Sequence, residues 1–186
     1  MKYALLASAA SAAFVAFEGG PEFDITWDAA KNGGRMKFQA SVDNNKWLGL
    51  SFGGGMVNKD MVLFQARGDN GEVSDLWSTS EEVVPTKDGS QNYEDQQRSK
   101  SGNTYKFTTW RKLDTGDAVQ DWKFECGKSY DMAWSANSKT ADFQQHDSTD
   151  VFKMAIAAAP DCTIVLSSAV YKAMGLLTVA SSLYLM

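Results

Sequence analysis

Short apolar segments, each followed by a turn sequence, recur through the middle of this chain. Between Met36 and Val42 the apolar side chains occupy every second position, and turn-forming residues follow at 43–45. Strict alternation indicates a strand with one buried face. Apolar runs predict further strands at Lys46 to Phe52, Asp60 to Arg67, Glu72 to Trp77, Thr104 to Arg111, Ser129 to Ala136 and Asp150 to Ala157. Seven or eight such strands predict an all-β domain, a two-sheet antiparallel β-sandwich of immunoglobulin-like type.

The same pattern yields two expectations about how the strands connect. The turn at residues 43–45 predicts that Met36 to Val42 and Lys46 to Phe52 pair as a hairpin. The segment from Thr79 to Gly102 is polar and acidic and contains Pro85, so we predict a long loop outside the core.

Both ends of the chain are apolar and are typical of processing segments. Lys2, followed by the apolar stretch Ala4 to Val15, indicates a secretory signal peptide. Ala173 to Met186 is short for a membrane-spanning helix but has the length of a removable GPI-attachment tail. A tail-type membrane anchor and a mature amphipathic helix stay open as alternatives at this end.

These ends divide the chain into a signal peptide at residues 1–16, a β-sandwich at 17–160 and a hydrophobic C-terminal tail at 161–186. We therefore expect the protein to be secreted or held on the extracellular face of the plasma membrane, with the tail as its contact with the membrane. The formal net charge of -5, without a cluster of Lys or Arg, argues against a nucleic-acid partner.

Cys126 and Cys162 are the two cysteines, and an exported chain favours a disulfide between them. Small residues at Ala157 to Ala159 offer a site for GPI attachment. The two expectations conflict, because attachment there would remove Cys162. The sequence leaves both open.

His146 is the single histidine of the chain, which restricts the chemistry available. A catalytic triad, a histidine-rich zinc site or a copper monooxygenase site would have to rest on it alone. A structural zinc site takes four Cys or His ligands with paired spacing, which two cysteines and one histidine do not supply. We therefore expect no enzymatic activity.

Met56 follows a strand that ends in three glycines, Gly53 to Gly55. Glycine permits positive φ and allows the backbone to approach a large flat group. A methionine thioether and a histidine imidazole together form a donor pair suited to axial ligation of haem iron. Since the chain has no Cys-x-x-Cys-His motif, a haem would be held non-covalently, as haem b.

The order of these motifs resembles the DOMON family, which includes b-type cytochrome modules. The resemblance covers about residues 20 to 157, and its most specific part is the run from Arg111 to Asp117 between two strands. The matching segments are Trp47 to Gly53, Met56, Asp60 to Phe64, Gly71 to Trp77, the loop with Pro85 and Asp88, Thr109 to Asp121, Met132 to Ala136 and Phe143 to His146.

This resemblance implies a DOMON-type sandwich with a ligand pocket between the sheets at one end. It also implies that Met56 and His146 are the cofactor-binding residues, as axial ligands of haem iron. Met61 lies close enough in sequence to compete with Met56 for that role.

Two groups of charged residues have structural interpretations first. Arg111, Asp114, Asp117 and Asp121 are expected to hold their turn through hydrogen bonds and charged pairs. For the acidic loop residues Asp88, Glu94 and Asp95, calcium binding with the help of carbonyl oxygens stays open as an alternative, although they lack the spaced pattern of a calcium loop.

Three functions agree with these observations. The first is a haem-binding one-electron carrier or redox sensor, which needs a separate redox partner. The second is a carbohydrate-binding or adhesion module that uses aromatic faces in the same cleft. The third is a surface-assembly module that associates with itself through its strand edges.

Overall fold

The computed structural model of this chain describes residues 15–16, 21–31 and 33–168. The expected signal peptide, apart from residues 15 and 16, and the tail from residue 169 onward lie outside the described residues. Within that part of the chain the secondary structure consists of strands, without a helix. The strands are β1 (Val15–Ala16), β2 (Glu22–Asp28), β3 (Arg35–Asp43), β4 (Trp47–Phe52), β5 (Lys59–Gln65), β6 (Glu72–Ser78), β7 (Thr86–Lys87), β8 (Glu94–Ser101), β9 (Thr104–Arg111), β10 (Ser129–Asn137), β11 (Ser148–Ile156) and β12 (Ile164–Ser168).

The strands form two antiparallel sheets. One has five strands in the order β1-β2-β3-β9-β8, and the other has seven in the order β12-β11-β10-β4-β5-β6-β7. The predicted two-sheet β-sandwich is confirmed. No helix among the described residues is long and apolar enough to cross a membrane.

The main core lies between the sheets and is rich in aromatic side chains. In β3 the predicted alternation is confirmed, since its even-numbered residues are buried and their neighbours are partly exposed. Phe38 of β3 packs against Phe52 of β4, with ring centroids 6.1 Å apart, which joins the two sheets. Other buried members of this core are Phe23, Phe64, Tyr105, Phe107, Phe124, Met132 and Met154.

The predicted hairpin between Met36 to Val42 and Lys46 to Phe52 is wrong, although both strands exist. β3 pairs with β2 and β9, whereas β4 pairs with β10 and β5 in the other sheet. The turn at residues 43–45, with Asn45 at a φ of 60°, therefore carries the chain from one sheet to the other. Both strands turn one face to the same core, and β4 is buried on its other face as well.

The prediction of a loop outside the core throughout Thr79 to Gly102 is wrong: residues 86–87 form the short strand β7 beside β6, the buried Tyr93 belongs to the main core, and the second half is a strand. Residues 94–101 form β8, the edge strand beside β9, with a bulge between Glu94 and Gln97. Nearly all side chains of β8 are exposed. An edge strand with two polar faces has no apolar alternation, so the sequence pattern gives no sign of it.

Cys126 and Cys162 form a disulfide bond, as one of the two expectations held. The bond fastens the segment after β9 to the start of β12. β12 pairs with β11 through Ser168 and lies beyond residue 160, where we placed the end of the sandwich. Processing at Ala157 to Ala159 would remove both the disulfide and this strand.

Candidate functional site

The outer face of the seven-stranded sheet, which points away from the five-stranded sheet, carries a second apolar cluster. Successive side chains of a strand point to opposite faces. Leu48 and Val62 belong to the main core, so their neighbours Trp47 and Met61 lie on the outer face. The cluster consists of Trp47, Met61, Leu63 and Leu76, with Phe143 packed against it.

A cavity of about 410 Å³ lies over this cluster, and Met56 and His146 both line it. We call it the outer-face cavity. Its remaining lining residues are Trp47, Met61, Glu81, Glu82, Val83, Val84, Pro85, Ser135, Phe143, Gln144 and Gln145. The cavity therefore brings together the two residues that the sequence singled out, although they are far apart along the chain.

Met56 is positioned by hydrogen bonds from two serines of the sheet. The hydroxyl of Ser51 donates to the carbonyl oxygen of Gly55 at 2.9 Å, and the hydroxyl of Ser78 donates to the carbonyl oxygen of Met56. Both serines are buried. The Met56 backbone is thereby fastened to β4 and β6, so its side chain starts from a fixed point.

The glycines before Met56 all have positive φ, as expected. At Gly53 the large flat group nearby is Trp122, because a Cβ placed on Gly53 would lie 2.7 Å from the Trp122 ring. At Gly54 and Gly55 a Cβ would meet nothing within 4 Å. Gly53 is therefore required both by its contact with Trp122 and by its positive φ, whereas Gly54 and Gly55 are required by their positive φ alone.

His146 lies in a loop whose backbone is anchored to the end of β10 on both sides. The buried Asn137 side chain donates to the carbonyl oxygen of Gln145 at 2.8 Å. The amide of Asp147 donates to the carbonyl oxygen of Ala136 at 3.0 Å. The residue between these two anchors is His146, which is partly exposed.

The aromatic wall of the cavity is held in the same way. Trp47 and Phe143 contact edge to face, with ring centroids 5.1 Å apart. Gln65 of β5 donates from its side chain to the carbonyl oxygen of Ala141 at 2.7 Å, which holds the loop that carries Phe143. The opposite wall is the exposed segment from Glu81 to Val84.

The residues present suit a haem in three respects. The cavity supplies a thioether and an imidazole, the donor pair found on low-spin haem iron. Trp47 and Phe143 supply flat apolar surface, and the cavity is open to solvent on its Glu81 side. Met61 also lines the cavity, so the competition between Met56 and Met61 expected from the sequence persists in the structure.

The pocket expected between the sheets at one end also exists, but it is a different cavity. It has a volume of about 430 Å³ and is bounded by the ends of β3 and β10 and the starts of β4 and β9. Asp43, Lys46 and Asn137 are among its polar lining residues, and neither Met56 nor His146 lines it. The candidate ligands thus lie on the outer face of a sheet instead of between the sheets, which corrects the location that the resemblance implied.

The predicted turn roles are confirmed for Asp114 and Asp117. Asp114 accepts a hydrogen bond from the Gly116 amide, and Asp117 accepts from the amides of Val119 and Gln120. These bonds to the anionic form lower the pKa of Asp117.

Arg111 and Asp121 also hold this segment, but from inside the core: their buried side chains form an ion pair, and Arg111 donates to the carbonyl oxygen of Trp122 at 3.0 Å. Arg111 is 0% exposed and its Nη2 atom lies 2.6 Å from Asp60 Oδ2 and 3.3 Å from Asp121 Oδ1. Of the acidic residues Asp88, Glu94 and Asp95, the last two form surface ion pairs. Glu94 pairs with Arg35 at 3.6 Å, and Asp95 pairs with Lys31 at 2.6 Å.

The buried acidic network around Arg111 is the feature that the sequence analysis missed. Burial raises the pKa of Asp60 to about 7 and the pKa of Asp75 to about 8. A signal was available, because Asp60 shares the inward face of β5 with Val62 and Phe64. An aspartate in register with core residues indicates a buried charge that needs a partner.

Comparison with known proteins places this fold in a family. The model of the DOMON domain matches residues 20–138. One similar solved structure is the cytochrome b domain of pyranose dehydrogenase from Coprinopsis cinerea, with 17% identity and a TM-score of 0.48 over 71% of this chain and 74% of that one. Another is the cytochrome domain of Myriococcum thermophilum cellobiose dehydrogenase, with 16% identity and a TM-score of 0.45 over 84% of this chain and 90% of that one.

No curated protein sequence matches the chain. The family match does not depend on such a relative, because it spans more than half of the sequence, including strands of both sheets and the turn that carries Met56, while β11, β12 and His146 lie beyond it. The chain therefore belongs to the DOMON family.

Proposed function

We propose that this chain is an extracellular, non-catalytic DOMON module that binds haem b non-covalently in the outer-face cavity and carries single electrons. The observation that carries the proposal is that Met56 and His146 line one cavity. The two similar structures are cytochrome domains, but the proposal rests on the cavity alone.

In this proposal Met56 and His146 would hold the haem iron. The bound group would supply reversible one-electron chemistry. Because two protein side chains would hold the iron, we expect electron transfer without binding of oxygen or substrate, and therefore without catalysis. Trp47 and Phe143 exclude water from the apolar part of the cavity.

The acidic residues at the mouth of the cavity indicate the charge of the redox partner that would dock there. Glu81 and Glu82 line the cavity, and no lysine or arginine among the described residues does so. We expect a separate redox protein to exchange electrons with the module at this mouth, guided by basic residues of its own.

The disulfide supports the extracellular part of the proposal. Bonds such as that between Cys126 and Cys162 persist in oxidising compartments and are rare in the cytosol. The signal peptide expected at residues 1–16 agrees with this location. Mass spectrometry of the protein purified from a secreting host tests it through the mature N-terminus.

Haemin titration of the haem-free protein tests the cofactor. We expect binding of one haem per chain, and we expect His146→Ala to lower the affinity at least tenfold because an axial ligand is lost. Gln144→Ala is the matched control, since Gln144 lines the same cavity without a soft donor atom. Equal affinities of the two variants would contradict the role of His146, provided that circular dichroism shows both folded.

A second candidate function is carbohydrate binding in the same cavity. The aromatic faces of Trp47 and Phe143 stand near the planar polar side chains of Gln144 and Gln145, a combination that suits a sugar ring. Retention of the haem-free protein on a glycan array, lost in Trp47→Ala, would favour this function over haem binding.

A further inference from the structure

Three aspartates converge between the sheets, behind the outer-face cavity. Asp60 on β5 and Asp75 on β6 are 0% and 1% exposed, and Asp121 joins them from the segment after β9. One side-chain oxygen of each lies within 4.8 Å of those of the other two. We call these three residues the acidic cluster.

Each carboxylate of the acidic cluster has one oxygen that accepts a hydrogen bond and one that accepts none, although the second oxygen of Asp121 lies 3.3 Å from Nη2 of Arg111. Oδ2 of Asp60 accepts from the backbone amide of Trp122 at 2.7 Å. Oδ2 of Asp75 accepts from the backbone amide of Asn92 at 2.9 Å, and Oδ2 of Asp121 accepts from the Asn92 side chain. The Oδ1 atoms of all three are buried and accept no hydrogen bond within the described part of the chain.

The charge of the cluster is also unbalanced. Arg111 forms ion pairs with Asp60 and Asp121, and one guanidinium balances only one carboxylate when all three are ionised, which is the state that a bound cation requires. Oδ2 of Asp88 and the hydroxyl of Tyr93, which interact electrostatically with Asp60, are likewise buried without a hydrogen-bond partner in the described residues. Excess negative charge and unsatisfied oxygens in a protein interior are both costly, and a bound cation relieves both.

We propose that Asp60, Asp75 and Asp121 bind one divalent cation of the calcium class, each through one carboxylate oxygen. Carboxylate oxygens are the hard donors that Ca²⁺ takes at about 2.3–2.6 Å, so two of its ligands lie at most about 5 Å apart. The spacing within 4.8 Å agrees with that limit. Mg²⁺, with bonds of about 2.0–2.1 Å, spans only about 4 Å and fits less well.

The cation would stabilise the segment that covers the outer-face cavity. Asn92 bonds to both Asp75 and Asp121, and the amide of Asp88 donates to the carbonyl oxygen of Asp75 at 3.0 Å. These residues follow directly on Glu81 to Pro85, which line the cavity. This role does not depend on haem, so the site can be tested in the haem-free protein.

The test is calorimetric titration of the haem-free, EDTA-treated full chain with CaCl₂ and with MgCl₂, together with thermal unfolding. We expect one Ca²⁺ per chain, weaker binding of Mg²⁺, and a rise in Tm of about 5–10 °C at a hundredfold excess of Ca²⁺ over its Kd. Asp75→Asn keeps the side-chain shape and should abolish both effects. Asp69→Asn, which changes an exposed aspartate in the β5–β6 turn, should leave both unchanged.

A second measurement on the unaltered chain guards against a variant that fails to fold. Tb³⁺ has the ligand preference of Ca²⁺, and Trp122, whose amide bonds to Asp60, can sensitise its luminescence. We expect saturable Tb³⁺ luminescence that Ca²⁺ reverses. Absence of both the 1:1 calcium binding and this luminescence would overturn the proposal and leave protonated carboxyls as the state of the cluster. Equal calcium binding by Asp75→Asn and Asp69→Asn would overturn it as well.

Discussion

Among single residues, the glycines before Met56 matter because the turn leaves no room or no suitable backbone conformation for a Cβ. Gly53 has a φ of 94°, and its Cα faces the ring of Trp122, whereas Gly54 has a φ of 60° and an open surrounding. Both positions oppose an L side chain through their backbone conformation, but only Gly53 also opposes it through contact.

We therefore predict that Gly53→Ala destabilises the domain by about 2–4 kcal/mol, from backbone strain plus overpacking against Trp122. Gly54→Ala, the matched control, should cost only about 1–2 kcal/mol because its Cβ meets nothing. Urea unfolding of the two variants measures the difference. Equal losses would show that the contact with Trp122 carries no weight.

Residue patterns in the sequence predicted local features of the fold but not contacts between distant strands. The alternation of β3 and the glycines before Met56 were informative because each follows from local geometry. The ion pair of Arg111 with Asp60 was not predictable, since it joins strands of different sheets. A pairing of that kind depends on the topology, which a local pattern does not contain.

At the scale of elements, the far edge of the seven-stranded sheet is held by charge. Glu72 at the start of β6 lies 2.6 Å from Lys87 of β7 and 2.5 Å from Arg67 in the preceding turn. These two cations lower the pKa of Glu72 to about 2. Since the pKa in the folded state lies below its ordinary value, the pairs stabilise the domain above about pH 4.5, and this contribution is lost as the pH falls toward 2.

Glu72→Gln should therefore lower the free energy of unfolding at pH 7 by about 0.5–1 kcal/mol, the range of partly exposed ion pairs. The difference from the unaltered protein should shrink between pH 4.5 and pH 2. Urea unfolding at several pH values measures it, with Glu22→Gln, an exposed glutamate without an ion pair among the described residues, as control. A difference that stays constant with pH would contradict the assigned role of Glu72.

The elements that sequence analysis misplaced share one cause. β8 is a strand because β9 offers it an edge, and β3 and β4 separate because other strands take their edges. Pairing partners are chosen by the whole sheet and not by the turn between two neighbours. Strand positions could therefore be predicted where one face is buried, while strand partners could not.

In the molecule as a whole, the two proposed sites lie on opposite faces of the seven-stranded sheet. The acidic cluster lies between the sheets, and the outer-face cavity lies on the other side of the same strands, β5 and β6. The sequence indicated Met56 and His146 as a pair, and the structure brings them to one cavity. It could not indicate the face of the sheet, because the loops that carry them follow no strand periodicity.

If the outer-face cavity holds a haem between Met56 and His146, the visible spectrum must depend on Met56. We would therefore record spectra of the haem-loaded protein, oxidised and reduced, for the unaltered chain, Met56→Leu and Met61→Leu. We predict a six-coordinate low-spin spectrum that Met56→Leu converts to high spin and that Met61→Leu leaves unchanged, because both methionines line the cavity but only Met56 ligates iron. A low-spin spectrum lost in Met61→Leu instead, or an unaltered chain that forms no low-spin complex, would contradict the claim.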